Sequence, residues 1–151
     1  MTDRRVAIEI LIADDDEDDR MLVADAIKES RLSNPITFVE DGVELMDYLR
    51  REGRYSDLAA QPLPGLILLD LNMPRKDGRT ALGEIRADDT LRRIPVVVLT
   101  TSQAEEDILR TYGLGVNSFI TKPVSFERLV EIVRVLGEYW FEIVALPRDN
   151  A

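Results

Sequence analysis

Five short apolar runs, each followed by a polar turn and a stretch of helical periodicity, limit what this chain can fold into. The runs are Val6 to Ala13 (VAIEILIA), Pro35 to Val39 (PITFV), Leu66 to Asp70 (LILLD), Pro95 to Thr100 (PVVVLT) and Asn117 to Lys122 (NSFITK). The segments MLVADAI, VELMDYLRRE, RTALGEIRA, AEEDILRTYG and FERLVEIVRVLGEYWFEIV follow them in turn and read as helices. Asp41-Gly-Val-Glu44 and Ser102-Gln-Ala-Glu105 have the spacing of capping boxes, and Ser125 is placed to cap the last helix. Strict alternation of this kind predicts a parallel sheet with helices on both faces. The runs are continuous in Val, Ile and Leu, as strands covered on both sides are. A loop around Tyr55 to Pro64 interrupts the rhythm before the third run, and no internal domain boundary is visible.

Composition removes several functions. There is no histidine, hence no imidazole base, no Ser-His-Asp triad and no imidazole metal ligand. There is no cysteine, which excludes thiol chemistry and fits a cytoplasmic protein. The net charge of −10 argues against nucleic-acid binding through a basic face. No apolar stretch is long enough for a membrane span, and the N-terminus lacks the pattern of a signal peptide. Chemistry here must use carboxylates, hydroxyls, lysine or a bound ion.

The first run ends in six consecutive acidic residues, Asp14 to Asp19. Like charges in contact repel, so either the run is solvated or something positive belongs beside it. Three other strand ends are polar too: Asp70 closes the third, Thr100 the fourth, and Lys122 the fifth, before Pro123. Open α/β sheets bind ligands at the carboxyl ends of their strands, where the strand order reverses. For a flavodoxin-like order 2-1-3-4-5, that point lies between the first and third strands and gathers Asp14, Asp15 and Asp70. Three carboxylates make a hard oxygen site suited to Mg²⁺ or Mn²⁺. With Lys122 as a second cation and Thr100 as a hydroxyl donor, the set describes phosphoryl transfer, with Asp70 as nucleophile.

Each residue also has a plainer reading. Acids opening a helix favour its dipole and need no ligand, which is the better account of Glu17, Asp18 and Asp19. An Asp after a strand is commonly a turn residue, a strand-end Thr reflects β-propensity, and a Lys before Pro is commonly surface. The coincidence of all of them on one sheet edge favours the site.

LILLDLNMPRKDG, the upstream Asp14-Asp15 pair, Thr100 and Lys122-Pro123 together resemble the receiver domain of two-component response regulators, over roughly residues 6 to 137. The resemblance implies a (βα)5 receiver fold and a role for each matching position. Asp70 accepts a phosphoryl group from a kinase phosphohistidine. Asp15 ligates Mg²⁺ directly, Asp14 contributes through water, and the backbone carbonyl of Asn72 adds a ligand. Lys122 pairs with the phosphoryl oxygens, Thr100 moves to bind them, and Phe119 turns inward as the aromatic switch. The face made by the fourth helix, fifth strand and fifth helix then changes shape for a partner. NMPRKDGRTALGEIR, RRIPVVVLTTSQAEEDI, NSFITKPV and YWFEIVALP resemble, more narrowly, the stand-alone regulators paired with phytochrome-type histidine kinases. That implies a sensor-kinase partner, a homodimer and no output domain: residues 1–137 as receiver and 138–151 as a C-terminal extension. In the last helix Phe126, Leu129, Val130, Val133, Leu136, Tyr139 and Trp140 share one side. Its length marks Tyr139, Trp140 and Phe141 as an interface.

Rival readings are weaker. A Mg²⁺-dependent phosphatase of the haloacid-dehalogenase type needs D-x-D, whereas the chain has Asp70-Leu71-Asn72. A calcium loop beginning at Asp14 lacks its Gly at Asp19 and its Glu at Asp25. The expectation is a phosphoacceptor switch that catalyses only its own phosphotransfer and dephosphorylation, not a metabolic enzyme.

Overall fold

The computed structural model describes residues 8–30, 34–100, 113, 115–116, 118–121 and 125–143. They form strand β1 (Ile10–Ala13), helix α1 (Glu17–Glu29), β2 (Ile36–Val39), α2 (Gly42–Arg50), β3 (Leu66–Asp70), α3 (Gly78–Ala87), β4 (Val96–Thr100), β5 (Ser118–Thr121) and a C-terminal helix (Phe126–Ile143). The five strands are parallel, as the alternation predicts, and lie in the flavodoxin-like order β2-β1-β3-β4-β5. The predicted fourth helix and its Ser102 capping box lie outside the described residues, apart from Gly113 and the turn at Gly115.

Alternation along the strands divides the core. Leu11, Ala13, Ile67, Leu69, Val96 and Val98 face α2 and α3. Ile10, Ile12, Leu66, Leu68, Val97, Leu99 and Ile120 face α1 and the C-terminal helix. β1 and β3 are buried at every position, and the edge strand β2 is partly open, with Phe38 exposed. Two layers of helix on one apolar sheet hold the strand ends at a fixed spacing. Leu129, Val130 and Val133 of the C-terminal stripe are buried in the second layer, so the described part of that stripe packs on its own sheet. The helix runs without a break through residue 137 to Ile143.

Helix starts follow the sequence closely. Asp16, Asp41 and Asp77 cap α1, α2 and α3, each accepting from a backbone N–H three residues on. Ser125 Oγ accepts from Arg128 N at 3.1 Å, as expected of its cap. Two helix starts differ in detail from expectation. α1 begins four residues before Met21, at Glu17, because Asp16 caps there and Glu17, Asp18 and Asp19 suit the first turn. In the α2 box, Glu44 reaches back past its cap residue to the Glu40 N–H at 2.8 Å.

The loop before β3 contains a 3-10 turn, Gly53–Leu58, strapped against α2. Tyr55 stands edge-on to Tyr48 at 4.9 Å between ring centroids, and its hydroxyl donates to Glu44 at 2.5 Å. Arg54 also binds Glu44. Burial alone would raise the Glu44 carboxyl, but the Tyr55 hydroxyl, the Glu40 N–H and Arg54 together hold it below its ordinary 4.5. A depressed carboxyl stabilises the fold above its unfolded value and loses that contribution as pH falls through the folded value. Glu44→Gln should therefore melt lower than the native chain at neutral pH, with the gap closing as pH drops below 4.5. Paired thermal melts across that range check it; a gap that persists in acid contradicts the assignment.

Candidate phosphoacceptor and cation site

β1 and β3 are neighbours, in register from Ile10 beside Leu66 to Ala13 beside Leu69. Asp14 leaves the end of β1 as Asp70 completes β3, at the point where chain order along the sheet reverses. One carboxylate oxygen from each of Asp14, Asp15 and Asp70 lies within 4.8 Å of the others. Asp14 and Asp70 are buried, 3% and 6% exposed, whereas Asp15 faces solvent. The acidic run thus splits by role: Asp14 and Asp15 enter the site, Asp16 caps α1, and Glu17, Asp18 and Asp19 occupy its first turn.

Backbone groups orient both buried carboxylates. Asp16 N donates to Asp14 Oδ1 at 3.0 Å, and Asn72 N donates to Asp70 Oδ1 at 3.1 Å. Asp14 N donates to Val39 O at 3.1 Å, tying the site to the end of β2. Arg20 Nη1 donates to the Asp14 carbonyl at 2.8 Å, fixing the turn from the first turn of α1. Sequence reasoning missed Arg20, because a basic residue after an acidic run reads as a surface charge.

Converging carboxylate oxygens without imidazole or thiolate nearby form a donor set for a hard divalent cation. They fit Mg²⁺ or Mn²⁺ better than Zn²⁺, and the Asn72 carbonyl belongs to the loop leaving Asp70. Thr100 and Phe119 are placed by their backbones on β4 and β5, two strands that pair at Val98 with Phe119 and Thr100 with Thr121. Lys122 lies outside the described residues. Tyr139, Trp140 and Phe141 belong to the C-terminal helix.

The loop after Asp70 is seated by two glycines. A Cβ at Gly78 would lie 2.4 Å from the Asp70 carbonyl oxygen, and one at Gly42 would lie 2.0 Å from the Lys76 carbonyl oxygen. Both follow a capping Asp, so the two Asp-Gly pairs, at 41–42 and 77–78, each start a helix pressed against the same loop. The opening at Asp41 was legible as a capping box, whereas Asp77-Gly78 read as the end of a turn; which backbone each glycine met was not legible at either.

A sheet wound in this order with three carboxylates at its reversal point defines the receiver class. The response regulator receiver domain model matches residues 10–134, and the chain belongs to that family. Among its relatives is the response regulator Rcp1 of Synechocystis, 41% identical over 138 residues, covering 91% of this chain and 92% of that protein. The structure of the phosphorylated cyanobacterial phytochrome response regulator RcpA is similar at 44% identity and a TM-score of 0.80, covering 93% of this chain and 97% of that one. The Mn²⁺-bound form of response regulator Rcp1 aligns at 40% identity and a TM-score of 0.79, covering 90% of this chain and 96% of that one.

Proposed function

We propose that this chain is a phosphorylation-controlled switch in which Asp70 accepts a phosphoryl group from the phosphohistidine of a sensor kinase. The observation that carries the reading is the cluster of Asp14, Asp15 and Asp70 oxygens within 4.8 Å at the sheet's reversal point. An Asp70 oxygen attacks phosphorus, the donor's P–N bond breaks, and the aspartate becomes an acyl phosphate. Asp14, Asp15, Asp70 and the Asn72 carbonyl would hold Mg²⁺ or Mn²⁺, which when bound offsets the charge of the carboxylates and the incoming phosphoryl group. The Asn72 N–H keeps the Asp70 side chain oriented. Lys122 and the Thr100 hydroxyl then bind phosphoryl oxygens, Phe119 moves into the space Thr100 leaves, and the face around β5 changes partner affinity.

Similarity to phytochrome response regulators favours a phytochrome-type kinase as donor. Residues 1–137 act as the receiver. Residues 138–151, with Tyr139, Trp140 and Phe141, form an extension through which two copies pair, without nucleic acid or membrane. The switch is cytoplasmic and turns over only its own acyl phosphate. A phosphatase reading has no support: the chain belongs to the receiver family, and Asn72 stands where the general acid belongs, an amide that gives up no proton at neutral pH.

Intact-mass spectrometry with acetyl phosphate tests the reading. One phosphoryl adduct that needs Mg²⁺ and maps to the peptide carrying Asp70 is expected. No adduct from acetyl phosphate or from a phosphorylated kinase, with Mg²⁺ present, would remove Asp70 as an acceptor.

A further inference from the structure

The turn that carries the chain away from Asn72 has a conformation that its own sequence disfavours. Lys76 N donates to Pro74 O at 2.8 Å, closing a three-residue turn around Arg75. Arg75 sits at φ 67°, the left-handed region that costs a side-chain-bearing residue its preferred backbone. Strain of this kind persists only where the surroundings over-determine it, and it gathers at functional sites.

The surroundings are visible. Arg75 Nε pairs with Asp41 Oδ2 at 3.3 Å, and the Asp41 side chain is only 13% exposed. The other oxygen, Asp41 Oδ1, accepts from Glu44 N at 2.7 Å as the cap of α2. Glu44 is itself held by Tyr55 and Arg54 of the strap. Next in the loop, Lys76 Nζ reaches Glu84 at 2.6 Å on α3, and its carbonyl lies flush against Gly42. A continuous polar chain thus runs from the strap, through the first turn of α2, to a strained turn three residues after Asn72.

We propose that the Asp41–Arg75 pair is a positioning device: it holds the positive-φ turn and so fixes where the Asn72 carbonyl meets the cation. The inference rests on the cation reading above. An ion pair whose cation is exposed, as Arg75 is at 62%, ordinarily contributes little to stability. Here its effect falls on one backbone segment rather than on the whole fold, so cation affinity should change while the melting temperature does not.

The sign of the effect separates this role from simple electrostatics. Removing a positive charge beside a cation site should tighten cation binding. Loss of positioning should weaken it. Direct Mn²⁺ binding, followed by the electron paramagnetic resonance of free Mn²⁺, reads the difference without any phosphoryl transfer. Arg75→Ala should weaken Mn²⁺ binding by about tenfold, as loss of an outer-shell support does. Asp41→Asn should weaken it too, a direction that charge alone shares, so Arg75→Ala carries the sign test. Asparagine caps helices as well as aspartate does, so Asp41→Asn leaves α2 intact. Arg75→Gly should stay within about twofold of the native chain, since glycine takes positive φ without help. Unchanged or tighter binding in Arg75→Ala overturns the inference alone, as does Arg75→Gly binding as weakly as Arg75→Ala. Absence of Mn²⁺ binding by the native chain overturns the site reading and this inference with it.

Discussion

Asp70→Asn is expected to abolish phosphoryl uptake and, in the metal-free protein, to raise the melting temperature. The first effect is chemical: an amide oxygen is no nucleophile toward phosphorus. Acetyl phosphate with Mg²⁺ should leave the variant's mass unchanged. The second effect is electrostatic. Three carboxylates with oxygens inside 4.8 Å, two of them buried, repel one another. Two unit charges about 4 Å apart interact by roughly 4 kcal/mol at an effective dielectric near 20. Exposure of Asp15 and salt screening reduce this to on the order of 1–2 kcal/mol. Asparagine keeps an oxygen for the Asn72 N–H, so the local hydrogen bond survives.

For a chain of this size that relief corresponds to a rise of roughly 2–8 °C. Mg²⁺ should stabilise the native chain more than Asp70→Asn, because ligand binding to the folded state adds stability in proportion to occupancy. Paired melts with and without Mg²⁺ check both parts. A variant that melts below the native chain without metal would mean that interactions of the Asp70 charge outweigh the repulsion. A variant that still gains the phosphoryl adduct would move the acceptor elsewhere.

The parallel sheet, the carboxylate cluster and the start of α2 were legible in the sequence, and for one reason. Each depends on a local pattern: continuous apolar runs at LILLD and VVVLT, an acid at a strand end, an Asp before a helix. The flavodoxin-like strand order then does the rest, because it brings the ends of β1 and β3 together. What the sequence did not disclose depends on contacts between distant backbones. Arg75 reads as an ordinary basic loop residue, and nothing in its neighbours announces a left-handed turn paired with Asp41, thirty-four positions earlier. Gly42 reads as part of a capping box and Gly78 as a turn residue; only the packed loop shows that a methyl group has no room. Arg20 binds the Asp14 carbonyl through a guanidinium that periodicity assigns to the surface. The Tyr55 to Pro64 loop read as irregular because a 3-10 turn of six residues has no helical repeat long enough to detect.

Two alanine substitutions in one helix should move stability in opposite directions. Gly83 lies in the middle of α3, and a Cβ there meets nothing within 4 Å. Gly83→Ala removes glycine's excess entropy from a helix interior and should stabilise the chain by about 0.5–1 kcal/mol. Gly78 opens the same helix, where a Cβ would stand 2.4 Å from the Asp70 carbonyl oxygen and 2.7 Å from Leu71 Cα. Both neighbours are backbone, so no side chain can rotate away. The start of α3 must lift, or the end of β3 must shift. The Gly78 N–H bond to Leu71 O, 2.9 Å, is strained either way. Overpacking of this kind should cost about 3 kcal/mol, or roughly 6–12 °C in melting temperature. The damage falls on the segment that aims Asp70, so Gly78→Ala should also slow phosphoryl uptake at temperatures where it remains folded. Melts of the two variants beside the native chain decide the matter, with uptake measured well below the lower melting point. If Gly78→Ala melts with the native chain, the α3 start yields freely, and the close seat of helix on strand does not hold the phosphoacceptor in place.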